Sequence, residues 1–226
     1  MKNLILLIAA FGLILGSCKD TAGEKAEVTE AKEVVASSGN TVVMNTDDSI
    51  IGWEATKVTG ASHTGVINLA RGSVTVKDNT ITGGSFILDM NSITVTDLEG
   101  KSKANLEGHL KGTAEGKEDH FFNVAKYPIA TFEITKVVHH LEMIDDVNST
   151  IYGNLTIRDQ TKQVGFDAKT SVGNNRVDVS TKQFTINRTD WGVNYGSASF
   201  FDNLGDKAIN NEIGLTLSIK GGQAAI

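Results

Sequence analysis

The chain has one cysteine, one proline and an aromatic content of only 6% among its 226 residues. A single cysteine, Cys18, excludes an intramolecular disulfide, so the fold must be stabilised by its own core. Acidic residues outnumber basic ones 27 to 21, and loss of the segment before Cys18 would remove Lys2 and leave 20 basic residues. This negative balance disfavours nucleic acid and anionic membrane surfaces as partners, because both reward clustered lysine and arginine.

Long apolar runs are also scarce, and the clearest one, Leu4 to Leu15, follows Lys2 at the N-terminus. Its length is typical of a signal peptide and falls short of the roughly 20 apolar residues that span a membrane. The run ends in Gly16-Ser17-Cys18, which resembles a bacterial lipobox. Residues 1–17 are therefore predicted to be a lipoprotein signal peptide that is cut before Cys18, whose sulfur takes a diacylglycerol. The alternative is an ordinary secretory signal beside an incidental cysteine.

The stretch after the cysteine is acidic, rich in small residues and free of aromatic side chains. Such a composition buries little apolar surface, so residues 18–40 are predicted to form a lipidated flexible tether. Lys19-Asp20 resembles the signals that send some lipoproteins to the cell surface. The expected location is the cell envelope, with the protein lipid-anchored to a membrane on its periplasmic side or at the outer surface.

Residues 41–222 alternate between apolar and polar side chains with a period of two, which indicates half-buried β-strands. Turn residues such as Asp78-Asn79 and Gly173-Asn174-Asn175 separate the strands, and a change of phase near Thr181–Gln183 indicates a bulge. Ser102–Gly112 is the longest candidate helix. We predict an all-β domain of about eight antiparallel strands with one or two short helices, closed into a barrel because an open sheet would expose an edge.

One face of these strands is predicted to point into the barrel, together with aromatic residues from the loops. Alternation alone does not separate a barrel that encloses a ligand from one that its side chains fill. The predicted lining residues are Phe86, Leu88, Met90, Phe121, Phe122, Phe132, Ile134, Leu155, Ile157, Phe166, Phe184, Trp191 and Tyr195.

Several segments resemble, in order, the YceI-like family of lipid- and polyisoprenoid-binding domains. They are residues 53–65, 83–93, 109–132, 152–162 and 187–209, with stretches such as Asp119-His120-Phe121-Phe122 and Asn187-Arg188-Thr189-Asp190-Trp191-Gly192. The resemblance implies a lipocalin-like barrel whose elongated apolar interior holds an isoprenoid chain or a fatty-acid derivative. One departure is the insertion of Lys111 to Glu118 between His109-Leu110 and Asp119, at the expected barrel mouth.

The sequence offers few polar side chains in patterns typical of catalysis or metal binding. The five histidines lack the spacing of a zinc site, and no nucleophile–histidine–acid pattern is present. His109 and His120 are expected at the mouth as loop-fixing or ligand-contacting groups, and catalysis there would require two polar groups within reach of each other, such as one of these histidines with Asp119. We therefore predict no enzyme activity, cofactor or metal. The predicted partners are a long-chain isoprenoid or fatty-acid-like lipid and the membrane that holds the Cys18 anchor, and the sequence is compatible with a homodimer. The alternative function is that of a structural or interaction lipoprotein with a side-chain-filled barrel.

Overall fold

The computed structural model describes residues 21–222, which are mostly β-structure. The predicted signal peptide and Cys18 lie outside these residues. One α-helix, α1 (Gly100–Lys111), confirms the helix predicted near residues 102–112, and two 3₁₀ turns cover Arg188–Trp191 and Gly205–Lys207. The eleven strands are β1 (Glu24–Lys25), β2 (Glu27–Glu30), β3 (Asn40–Lys57), β4 (Ser62–Lys77), β5 (Thr80–Val95), β6 (Ile129–Ile144), β7 (Val147–Ile157), β8 (Gln160–Gly173), β9 (Arg176–Ser180), β10 (Phe184–Asn187) and β11 (Ile209–Gly222).

Eight of these strands close into a ring, which confirms the predicted antiparallel barrel. Each strand pairs with the next in the order β11, β3, β4, β5, β6, β7, β8 and β9, and β9 pairs back onto β11. Closure pairs the backbone edges and turns the apolar face of every strand inward. None of the described helices is long and apolar enough to cross a bilayer.

Tight turns define the lower end of the barrel. Asp78-Asn79, Asp145-Asp146 and Asn174-Asn175 each have positive φ, between 50° and 66°, at both positions. Two-residue turns of this kind match the twist of antiparallel strands and favour Asn and Asp. The upper end carries α1 and the loops 112–128 and 188–208.

In the upper half of the barrel, two neighbouring strands of the wall do not pair with each other, and the gap between them is here termed the seam. β9 ends at Ser180 and β10 begins at Phe184. Residues 181–183, where the change of phase predicted a bulge, interrupt the strand between them. Both strands pair with β11, but only β9 reaches β8, through Lys169–Gly173. The upper parts of β8 and β10 therefore do not pair with each other.

Residues 21–39, here termed the strap, fill this seam. The structure departs from the predicted flexible tether over this part of residues 18–40, because β1 pairs in parallel with β10 and β2 pairs antiparallel with β8. Ala26 is buried between them, and its amide donates to Thr185 O at 2.9 Å. The free edges of β8 and β10 supply hydrogen-bond partners that the strap's acidic composition does not reveal.

The strap then crosses the outside of the barrel before β3 begins. Lys32 N donates to Asn154 Oδ1 at 3.0 Å, and Asn154 Nδ2 donates to Lys32 O at 2.7 Å. Further along, Ser38 O accepts from the Thr82 hydroxyl, and Asn40 starts β3 opposite Val76. From its first described residue onward, the chain is therefore bound to the barrel.

Candidate ligand-binding cavity

The interior of the ring holds a cavity of about 180 Å³. It extends from Leu110 and Phe121 at the upper end to Val74 and Ile81 towards the lower end. Its surface, formed by the described residues, contains no polar atom. Since a cavity of about 150 Å³ binds one benzene molecule, this one has room for about seven carbon atoms of an apolar chain. The alternative of a barrel filled by its own side chains does not hold.

Eleven of the thirteen predicted lining residues border this cavity. They come from β5, β6, β7, β8 and β10 and from the loop after α1: Phe86, Leu88, Met90, Phe121, Phe122, Phe132, Ile134, Leu155, Ile157, Phe166 and Phe184. Phe166 and Phe184 stack face to face across the seam, with centroids 4.7 Å apart. Whether these side chains contact a ligand stays a prediction.

Trp191 and Tyr195 do not line the cavity, which corrects the prediction for both. Trp191 lies in a 3₁₀ turn outside the strand alternation, and its indole is buried with Nε1 donating to Leu155 O at 2.9 Å. Tyr195 follows on the upper loop, partly exposed, and stacks on His120 with centroids 4.1 Å apart. Both belong to the cap of the barrel.

The sequence-based list missed much of the opposite wall, which β3, β4 and β11 provide. The alternation that identifies it was present in β11, where apolar residues recur at every second position. The members from these three strands are Ile51, Trp53, Ala55, Ile67, Leu69, Val74, Ile209, Ile213, Leu215, Leu217 and Ile219.

The cap over the upper end is built by α1 and the insertion that follows it. Glu107 Oε1 accepts from Val95 N at 2.9 Å, which fixes α1 to the end of β5. Gly112 ends the helix with φ of 72°, a left-handed conformation suited to glycine. The chain then loops out and returns, so that Phe122 N donates to Leu110 O at 3.1 Å. The insertion thus brings His120 back beside His109.

His109 and His120 lie in the cap over the upper end of the barrel, hydrogen-bonded to each other. His109 Nε2 and His120 Nδ1 are 2.8 Å apart, and the His109 ring meets Phe121 edge-on. Burial lowers the pKa of His109, and the nearby Lys117 and His120 lower it further. The neutral imidazole is therefore favoured in the cap. Asp119 Oδ1 accepts from Asn123 Nδ2 at 2.8 Å and from Arg158 Nη2 at 3.3 Å.

Arg188 is buried behind the cavity wall and holds the upper loop together. Its guanidinium donates to three backbone carbonyls, those of Val193 at 2.6 Å, Ile209 at 3.2 Å and Asn210 at 3.1 Å. Burial lowers the pKa of Arg188 to about 10. Only its apolar stem borders the cavity, because no polar atom contributes to the cavity surface.

Trp53 provides the one polar group of the wall that lacks a partner within residues 21–222. Its ring covers Gly65, where a side chain would collide with the indole and with Thr94 O. Its Nε1 is buried without a hydrogen-bond acceptor. In the same part of the chain, no group of three His, Cys, Asp or Glu side chains is arranged to hold a metal ion.

Comparisons with known proteins agree with this architecture. The family model of the YceI-like domain matches residues 42–221. A polyisoprenoid binding domain from Saccharophagus degradans has a TM-score of 0.58 at 12% identity, covering 81% of this chain and 98% of that one. Burkholderia cenocepacia BcnA has a TM-score of 0.57 at 15% identity, covering 78% and 98%. The search of curated proteins gave no match.

At these identities, the two solved structures establish a shared fold. The family match extends over most of the chain and over every strand of the closed ring. The chain belongs to the YceI-like domain family.

Proposed function

We propose that the protein binds a long apolar chain, a polyisoprenoid or a fatty-acid derivative, inside its barrel and thereby sequesters or transports it. The observation that carries this proposal is the cavity of about 180 Å³ with a wholly apolar surface. Burial of hydrocarbon gains about 0.8 kcal/mol per CH₂, so a chain needs few polar contacts to bind there. Polyisoprenoid binding by the S. degradans domain supports this class of ligand.

Export and lipid anchoring are a second part of the proposal. The apolar run from Leu4 to Leu15 and the Gly16-Ser17-Cys18 sequence support cleavage before Cys18 and acylation of its sulfur. An anchored protein would stay beside the bilayer that supplies its apolar ligand. The proposed location is the cell envelope, on the periplasmic side of a membrane or at the outer surface.

Native mass spectrometry of protein purified from its own host tests ligand binding. We expect the barrel to carry an additional mass that organic extraction releases as an isoprenoid or fatty-acyl compound. Empty protein that also fails to bind added prenyl lipids or fatty acids would contradict the binding proposal.

The intact mass of the same preparation tests the anchor separately. We expect a mature chain that begins at Cys18 and carries diacylglycerol, and a Cys18→Ala variant that lacks this mass. A chain cut elsewhere, or an unmodified cysteine, would contradict anchoring and leave ligand binding unaffected.

A further inference from the structure

Two adjacent phenylalanines are exposed on the upper loop. Phe200 is 55% and Phe201 is 49% exposed, and the partly exposed Tyr195 lies on the same loop. Tyr195 in turn contacts Phe121, a lining residue of the cavity, with ring centroids 5.3 Å apart. The loop that carries Phe200 and Phe201 therefore reaches the mouth through Tyr195. Exposed clusters of large apolar side chains commonly mark interaction sites.

The loop presents these rings from a fixed backbone. The amides of Phe200 and Phe201 both donate to Ser197 O, at 3.1 and 3.0 Å. The Ser197 hydroxyl is buried and donates to Asn211 Oδ1 at 2.7 Å, while Asn211 Nδ2 donates to Ser199 Oγ at 2.9 Å. Because β11 holds the loop through Asn211, the exposure of the two rings is built into the fold.

The start of the strap is hydrogen-bonded to β11 beside this loop. The Thr21 hydroxyl donates to Glu212 O at 2.9 Å, so the strap and the phenylalanine loop attach to adjacent residues of β11. Cys18 precedes Thr21 by three residues, which span at most about 10 Å when extended. A lipid on Cys18 would therefore hold this end of the barrel, and not the lower end, close to the bilayer.

We propose that the loop carrying Phe200 and Phe201 docks the barrel onto the lipid bilayer that holds the Cys18 anchor, with the mouth of the cavity facing the membrane. This inference rests on the proposed anchoring. Phenyl rings at the interface bury apolar surface between the lipid headgroups. The loop carries Asp202, Asp206 and Lys207, so attraction to anionic lipid contributes little.

The lower end offers a matched control. Leu141, four residues before the Asp145-Asp146 turn of the β6–β7 hairpin, is fully exposed, and Met143 and Ile144 are also exposed. The ten residue-to-residue steps from Glu212 to Gly222 span about 33 Å along β11, more than three times the reach of the segment between Cys18 and Thr21. A docked upper end therefore leaves Leu141 in water.

The test uses the acylated full-length mature protein in vesicles of zwitterionic phosphatidylcholine with brominated acyl chains, which quench tryptophan. Phe200→Trp and Leu141→Trp are compared after subtraction of the emission of the wild type. We expect a loss of about half or more of the added emission for Phe200→Trp, because interfacial side chains lie about 5–10 Å deep. We expect no loss for Leu141→Trp, and no effect of added salt on either.

Each other outcome overturns the proposal. An acylated Phe200→Trp protein that is not quenched refutes docking, and equal quenching of Leu141→Trp refutes the orientation. If the protein is a dimer in detergent and Phe200→Asp dissociates it, the apolar surface binds a second copy of the chain and not the bilayer. An intact mass that shows an unmodified Cys18 refutes both the anchor and the docking that depends on it. Failure to bind prenyl lipids refutes ligand binding and does not change the interpretation of the quenching result.

Discussion

Filling the cavity should strongly weaken ligand binding without harming the fold. Ala130 is buried on β6, opposite Leu88, and borders the cavity. Ala130→Phe adds one phenyl ring, and a ring of this size occupies a cavity of about 150 Å³. Since the whole cavity measures about 180 Å³, only about 30 Å³ would remain, the volume of one water in the liquid.

The expected loss of affinity follows from the carbons that the ring displaces. About six carbons of a bound chain lose their site, which at about 0.8 kcal/mol each amounts to about 5 kcal/mol. The dissociation constant should therefore rise by about three to four orders of magnitude. Displacement of a fluorescent fatty acid measures the affinity, and the thermal midpoint of unfolding reports whether the variant is folded.

Ala70→Phe is the matched control, because Ala70 is exposed on the outer face of β4. It should bind the fatty acid as the wild type does. The reasoning is refuted if folded Ala130→Phe keeps wild-type affinity, or if Ala70→Phe loses as much.

Three further predictions concern the strap, the wall and the cap. Asn154→Ala removes both hydrogen bonds to Lys32, so stability should fall by about 1–3 kcal/mol and amide exchange in β2 should accelerate. Gly65→Ala places a methyl group against Trp53 and a backbone carbonyl, which should cost about 1–3 kcal/mol in urea unfolding. The pKa of His109 is lowered in the fold, so the unfolded chain binds the proton first as the pH falls. Stability is therefore complete above the unfolded pKa of about 6.5 and decreases from there down to the folded pKa. His109→Gln should flatten this decrease, measured by urea unfolding at a series of pH values.

Each of these variants has a control. Lys162→Ala removes only the ion pair with Glu30 at the barrel surface, and the strap prediction fails if it accelerates exchange in β2 as much as Asn154→Ala does. Gly173→Ala meets open space, so equal destabilisation would contradict the steric explanation at Gly65. His140→Gln removes a histidine on β6, away from the cap, and is the control for the histidine substitution itself.

The barrel itself was predictable because its signals are local. Alternation located the strands, Asp78-Asn79 and Asn174-Asn175 identified two turns, and the phase change at residues 181–183 identified the break between β9 and β10. The same alternation placed nine of the eleven lining residues on the inner face, because side-chain direction in a strand depends only on sequence position, whereas Phe121 and Phe122 lie on the loop after α1.

The strap and the cap were not predictable from such patterns. Residues 24–30 form strands because edges more than 130 residues away, at Gly165 and Phe184, offer them free backbone groups. Trp191 and Tyr195 lie on loops, where no period indicates direction, and their positions are fixed by Leu155 and His120. These contacts arise only once the barrel has closed.

Because the strap is part of the barrel wall, the folded unit begins before the residue at which the family match begins. The family match begins at residue 42, after the strap has already paired with β8 and β10. A recombinant domain started there would expose both edges beside the stacked rings of Phe166 and Phe184. Open strand edges recruit other chains, so such a domain would self-associate, and binding measured on it would describe a barrel with an open side.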